Sequence, residues 1–339
     1  MASAEIEVRE QVKFNWFRMC GLLALLVSLG LAVPLSIGGL EALSLFVSLP
    51  LWAFPALLLA MLLAWNLNLL RLRVLLDSQI KDLGYWRMMR IYMATEFVSK
   101  TTPMGAGAPA AAVWLLAPHG VKPISCLVIF GVSACMDAIV LVGLMGCFLV
   151  GGFAVSLGAS LWLSLFLVAA IMLAVIIGTA LLLYRHKLLF CILVSTPGFS
   201  LAGPKGRRLA RKLIVSLHLA LRRISGLPCW RLIFSWTACL FYWALYLSTL
   251  YLCIWVMGGG VSWIESGFVQ TIAMGVGHIL MVPGGAGGSE VSGTLLLEPA
   301  LGATLAATVI LLWRFLMLYL YLIVGGLAMI SLIRAGSES

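Results

Sequence analysis

The chain has 339 residues, of which 63% are hydrophobic and only 10% charged, with a formal net charge of +10 and a mean hydropathy of +1.12. A water-soluble fold is excluded for this sequence, and no attached soluble catalytic domain is expected within it, because the apolar runs recur along the whole chain and exceed the roughly 18 to 20 residues that cross a bilayer. The basic excess lies in segments beside those runs, so anionic lipid headgroups supply the counter-charge and nucleic acid is not needed as a partner.

In chain order, the stretch carrying Glu5, Glu7, Arg9, Glu10 and Lys13 leads into apolar sequence without a small-residue cleavage site. It predicts a retained first helix and no signal peptide. Full spans are expected at 14–39 and 43–70, followed by a basic loop at 71–90 with Arg71, Arg73, Lys81, Arg87 and Arg90. The apolar stretch 91–118 is interrupted by Pro103-Met104-Gly105-Ala106-Gly107, and a span at 123–150 follows. The second half repeats this order: spans at 156–184 and 232–257, the stretch 264–298 interrupted by Pro283-Gly284-Gly285-Ala286-Gly287, and a last span at 303–333. Backbone that leaves the helical ladder inside hydrocarbon is tolerable only where protein or a water-filled cavity surrounds it. Matching Pro/Gly interruptions in two halves are the sequence mark of a transporter binding site. We therefore expect an all-α polytopic membrane protein, one membrane domain over 1–339, with six full spans and two re-entrant hairpins in an inverted repeat (14–150 and 156–333).

Charge fixes the expected orientation. With both termini cytoplasmic, the basic segments 71–90 and 185–231 are cytoplasmic only if each hairpin returns to the side it entered, and the short outer connections 40–42, 151–155 and 258–263 then hold no Lys or Arg. Between the halves, Lys205, Arg207, Arg208, Arg211, Lys212, Arg222 and Arg223 surround Leu209, Leu213, Leu217 and Leu221, which step by four. This is the pattern of an amphipathic helix lying among anionic headgroups on the cytoplasmic face.

Ionisable residues at membrane depth are expensive and so face a cavity or a partner. The set here is Glu96, Lys100, Asp137, Glu290 and Arg314, and the expected pairs are Glu290 with Arg314 and Asp137 with Lys100. The candidate substrate-binding positions are these five together with Thr102, Pro103, Gly105 and Gly107 on the first hairpin and Pro283, Gly284, Gly285 and Gly287 on the second. Half-helix N-termini and glycine-lined backbone at the hairpin tips, with Arg314 and Lys100, suit a phosphate-bearing headgroup. The eight cysteines form no CxxC or Cys/His metal pattern, and no nucleophile elbow, zinc-protease signature or nucleotide loop is present. Catalytic residues, metal and cofactor are therefore expected to be none.

The run Pro283-Gly284-Gly285-Ala286-Gly287-Gly288-Ser289-Glu290, followed by Trp313-Arg314 and by Gly325-Gly326, resembles the Pro/Gly, Glu and later Arg pattern of the lysylphosphatidylglycerol synthase transmembrane (flippase-like) superfamily. Thr102-Pro103-x-Gly105-x-Gly107 is similar to its first Pro/Gly segment. The resemblance implies a re-entrant, inverted-repeat membrane domain, in some members joined to a cytosolic aminoacyltransferase. This chain reaches Ser339 without that transferase, so lipid aminoacylation is not expected as its own activity, and Ala108-Pro109-Ala110-Ala111-Ala112 is apolar where many relatives carry an acid and an Arg. The expected function is movement of a headgroup-bearing lipid or glycolipid between the leaflets of a bacterial inner membrane. The alternatives are a membrane-embedded enzyme acting on lipid-linked headgroups or sugars, and a scaffold for a cytosolic transferase. Expected partners are membrane lipids, with a second copy of the chain or a cytosolic transferase left open.

Overall fold

The computed structural model describes residues 16–47, 49–76, 83–150 and 226–337, with Ile80 and isolated positions between 170 and 222. Among them the chain is all helical. The helices are α1 (Trp16–Val47), α2 (Ala53–Leu76), α3 (Tyr85–Thr101), α4 (Ala108–Leu116), α5 (Pro123–Val150), α6 (Cys229–Val256), α7 (Trp263–Ile279), α8 (Gly288–Leu301), α9 (Ala303–Arg314) and α10 (Leu320–Ser337). Among the described residues, four helical stretches are long and apolar enough to cross a membrane: Ala53–Leu76, Pro123–Leu144, Cys229–Val256 and Ala303–Ala335. A fifth arises if Gly30–Gly39 and Glu41–Val47, bent by 110°, count as one. The span expected at 156–184 and the basic helix expected near 205–224 lie outside the described residues.

Two boundaries differ from expectation. The expected end of the first span at 39 falls on a sharp bend, while the second span starts and ends later than expected. Gly39 takes φ 66° and ψ −174°, which bends α1, and the helix resumes as far as Val47. The second span consequently starts at Ala53 and runs to Leu76, so Arg71 and Arg73 sit in its last two turns and not in a loop. Gly39 makes the bend because its positive φ lies outside the range other residues readily adopt.

In a bilayer, apolar burial gives helices little reason to associate, and close packing does the work. α2 and α6 run antiparallel, because Trp52 stacks edge-on against Trp255 at one end while Arg71 reaches Cys239 further along. Around them Met61, Trp65, Leu69, Leu247, Leu250, Ile310, Trp313 and Tyr321 form one buried core. α10 packs on α3 at Gly325, where a Cβ would fall within van der Waals distance of the Met93 carbonyl and the Phe97 side chain. That close approach explains the glycine at 325, whereas a Cβ at Gly326 would meet only the Phe97 ring at 3.4 Å. α1 lies on α9 through Ala42 and Ala307, and the Thr308 hydroxyl donates to the Ala42 carbonyl at 3.2 Å.

Both Pro/Gly interruptions are tight turns between packed helices, α3 with α4 and α7 with α8. Each turn opens with a proline and then enters the left-handed region: Met104 at φ 53°, ψ 17° in Pro103–Gly105, and Gly284 at φ 61°, ψ 5° in Pro283–Gly285. The two backbones diverge at the alanine that follows each turn, Ala106 being helical (φ −60°, ψ −21°) and Ala286 extended (φ −61°, ψ 140°). The two turns pack against each other, with Gly284 against the Lys100 carbonyl.

Candidate functional site where the two hairpins meet

The expected pair of Glu290 and Arg314 is formed. Glu290 lies in the first turn of α8 and is 0% exposed, Arg314 ends α9 and is 4% exposed, and Arg314 Nε donates to Glu290 Oε1 at 2.6 Å. Arg314 Nη2 donates to the Gly284 carbonyl at 3.1 Å, which ties the guanidinium to the tip of the second hairpin. The helix widens immediately after Arg314. Phe315–Tyr319 is a π-helical turn in which the Leu320 N–H donates to the Phe315 carbonyl. Such turns are frequent at functional sites because one extra residue per turn re-aims the side chains around it. Glu290 Oε2 and the Tyr319 hydroxyl are both buried without a hydrogen-bond partner. α1 lays Gly30 against the Tyr319 hydroxyl and Glu290 Oε1, leaving no room for a side chain there.

Beside Arg314 a small cavity of about 40 Å³ is lined by Lys100 from the first hairpin and by His278, Gly284, Gly285 and Ser289 from the second. Three basic side chains, two glycines and the start of α8 thus share one wall. The first N–H groups of a helix lack helical carbonyl partners and carry the positive end of its dipole, so this wall favours an anion. Lys100 places its Nζ 5.1 Å from the Tyr321 ring centre.

The expected pair of Asp137 and Lys100 is not formed. Asp137 instead receives Arg71 in a two-pronged bond, Nη1 to Oδ1 at 2.5 Å and Nη2 to Oδ2 at 3.2 Å. Trp243 Nε1 also donates to Oδ1, at 2.8 Å, and Cys239 Sγ lies 3.0 Å from Arg71 Nη1. The planar guanidinium fork matches a carboxylate in a way that an ammonium cannot. Sequence alone puts Arg71 in a loop because charge ends an apolar window. The available signal is Asn68 and Arg71, three apart on one face of a helix that simply continues. Glu96 is half-buried on α3, one turn before Lys100 on the same face.

The remaining turn residues divide by role. Thr102 is spent inside its own turn: its hydroxyl donates to the Val98 carbonyl at 2.8 Å and accepts from the Gly107 N–H at 3.0 Å. Gly107 has no space for a Cβ between Thr102 and Val98, and Gly105 (φ 71°) needs its positive φ. On the second hairpin, Pro283 starts the turn, Gly285 (φ 66°) packs on Gly277, and Gly287 (φ 84°) precedes α8 with open space around its Cα.

The sequence profile of the family described as Lysylphosphatidylglycerol synthase TM region matches residues 20–325 of this chain. The chain belongs to that family. The match takes in both hairpins, Asp137, Glu290 and Arg314, so every element of the geometry above lies within the family region. No curated protein matches the chain.

Proposed function

We propose that the protein is a lipid transporter of a bacterial inner membrane, moving a phosphate-bearing lipid between leaflets with its headgroup passing between the hairpins and its tails remaining in lipid. The observation that carries this reading is the meeting of two Pro/Gly turns, alike in their first residues, beside the buried Arg314. In this reading both hairpins are re-entrant and enter from opposite faces, the two halves form an inverted repeat, six spans surround them, and both termini are cytoplasmic. Phosphate oxygens accept from Lys100, from the Arg314 Nη groups and from the opening N–H groups of α8, taking Nη2 from the Gly284 carbonyl. Glu290 holds Nε and keeps the guanidinium aimed. Releasing Gly284 loosens the tip of the second hairpin, which links headgroup binding to movement of one half against the other. With some 40 Å³ of space the site holds about one water-sized group as it stands, the closed end of such a cycle. Membrane lipids are the partner, and the chain itself is not an enzyme.

The test is reconstitution in liposomes with a headgroup-labelled phospholipid. Leaflet exchange with the lipid's mass unchanged is expected. A chemically altered lipid produced in proportion to protein, without exchange of the parent, replaces this reading with a membrane-embedded enzyme.

A further inference from the structure

A second cavity, of about 190 Å³, lies between α2, α3, α4 and α5. Its polar lining includes Asn68, Arg71, Tyr92, Glu96, Ser133 and Asp137, with Thr95, whose hydroxyl is spent on the Ile91 carbonyl. The volume admits about six waters or a compact polar group of similar size. The Asp137 side chain is 26% exposed. Three lining side chains carry a buried polar atom with no hydrogen-bond partner: Asn68 Oδ1, Arg71 Nε and Ser133 Oγ. Buried polar groups are ordinarily satisfied, so three in one cavity wall point to an occupant that satisfies them.

We propose that this cavity is a binding subsite for an uncharged, hydroxyl-rich group, a sugar or polyol headgroup. The proposal rests on the lipid-transport reading only in taking that group to be part of a lipid. Charge and hydrogen-bond type select the ligand. Arg71 and Asp137 neutralise each other through the two-pronged bond, and the one further charged side chain in the lining, Glu96, is a carboxylate that turns anions away. The unpartnered atoms are mixed: Arg71 Nε donates, Asn68 Oδ1 accepts, and Ser133 Oγ does both. An ammonium only donates and leaves Arg71 Nε unpaired beside a like charge, while a phosphate only accepts and meets the carboxylates of Glu96 and Asp137. A hydroxyl donates and accepts, and a row of them matches the set. Tyr92 is held in the wall by Asn68 Nδ2, which donates to its hydroxyl at 3.1 Å, and the amide thereby presents its oxygen as the free acceptor.

The test uses the full chain in a sugar-free polyoxyethylene detergent containing equal amounts of monoglucosyldiacylglycerol, phosphatidic acid, a primary-amine diacyl lipid and diacylglycerol, with retained lipids counted by native mass spectrometry. Monoglucosyldiacylglycerol, which has no phosphate, is expected to be retained over diacylglycerol. Asn68→Leu and the milder Ser133→Ala are expected to reduce that preference by about tenfold, a loss of one to two hydrogen bonds, with phosphatidic acid retention unchanged in both and the thermal midpoint unchanged in Ser133→Ala. Glucolipid retention equal to that of diacylglycerol, glucolipid retention unaltered in both variants, or preference for the amine lipid overturns the subsite. Phosphatidic acid reports separately: its failure to exceed diacylglycerol counts against phosphate binding at the hairpin tips and leaves the hydroxyl subsite standing.

Discussion

Arg314 and Glu290 answer to each other more than to any other group. Each is buried and each is an ion, so removing either strands the other, at a typical cost of about 3 to 5 kcal/mol. Arg314→Met and Glu290→Gln should each lower the thermal midpoint of the purified protein, and the double variant should lose less than the two together, because no stranded charge remains. A double variant whose loss equals the sum of the singles would show that the 2.6 Å contact is not an energetic unit. This pair is legible in the sequence because Glu290 and Arg314 stand in a recognisable Pro/Gly, Glu, Arg order. Arg71 is not, for the same rule that makes charge costly in hydrocarbon moves it out of the span. That rule weighs a side chain alone, whereas Asp137 comes from a helix 66 residues further on, a partner no local window contains.

At the scale of elements, the Pro/Gly breaks locate both hairpins, expected at 91–118 and 264–298 and observed as helix–turn–helix units from Tyr85 to Leu116 and from Trp263 to Leu301. The early start of the first has a physical cause: its first helix carries Arg87, Arg90, Glu96 and Lys100 and is not apolar enough to register as membrane-embedded. The second starts at a capping box, Ser262 Oγ accepting from the Glu265 N–H and Glu265 Oε2 from the Ser262 N–H. The two turns share a left-handed second residue, but one half uses Met104 where the other uses Gly284. A left-handed residue with a side chain costs about 1 to 2 kcal/mol, and Met104 is half exposed with few contacts to lose. Met104→Gly is therefore expected to raise the thermal midpoint or leave it level, even though glycine gives the unfolded chain more freedom. A clear fall would show that the Met104 side chain is held by packing that outweighs the strain. The bend at Gly39 falls where the first span was expected to end, at the Gly38-Gly39 pair, and what the apolar sequence beyond it concealed is that the helix resumes as far as Val47 before the second span begins.

For the whole molecule, the proposed transport path needs two hairpins that approach Arg314 from opposite faces of the membrane. The family region over 20–325 and the apolar helices make the protein a multi-pass membrane protein, and the proposed opposed entry would turn this architecture into a path between leaflets. Single cysteines in a cysteine-free background report it directly, placed at Trp86 beside the base of the first hairpin and at Gly260 beside the base of the second, both exposed positions. An impermeant thiol reagent added to intact cells is expected to label Gly260→Cys and to spare Trp86→Cys until the membrane is opened. Labelling of both from the same side would contradict the opposed-hairpin arrangement and the transport path built on it.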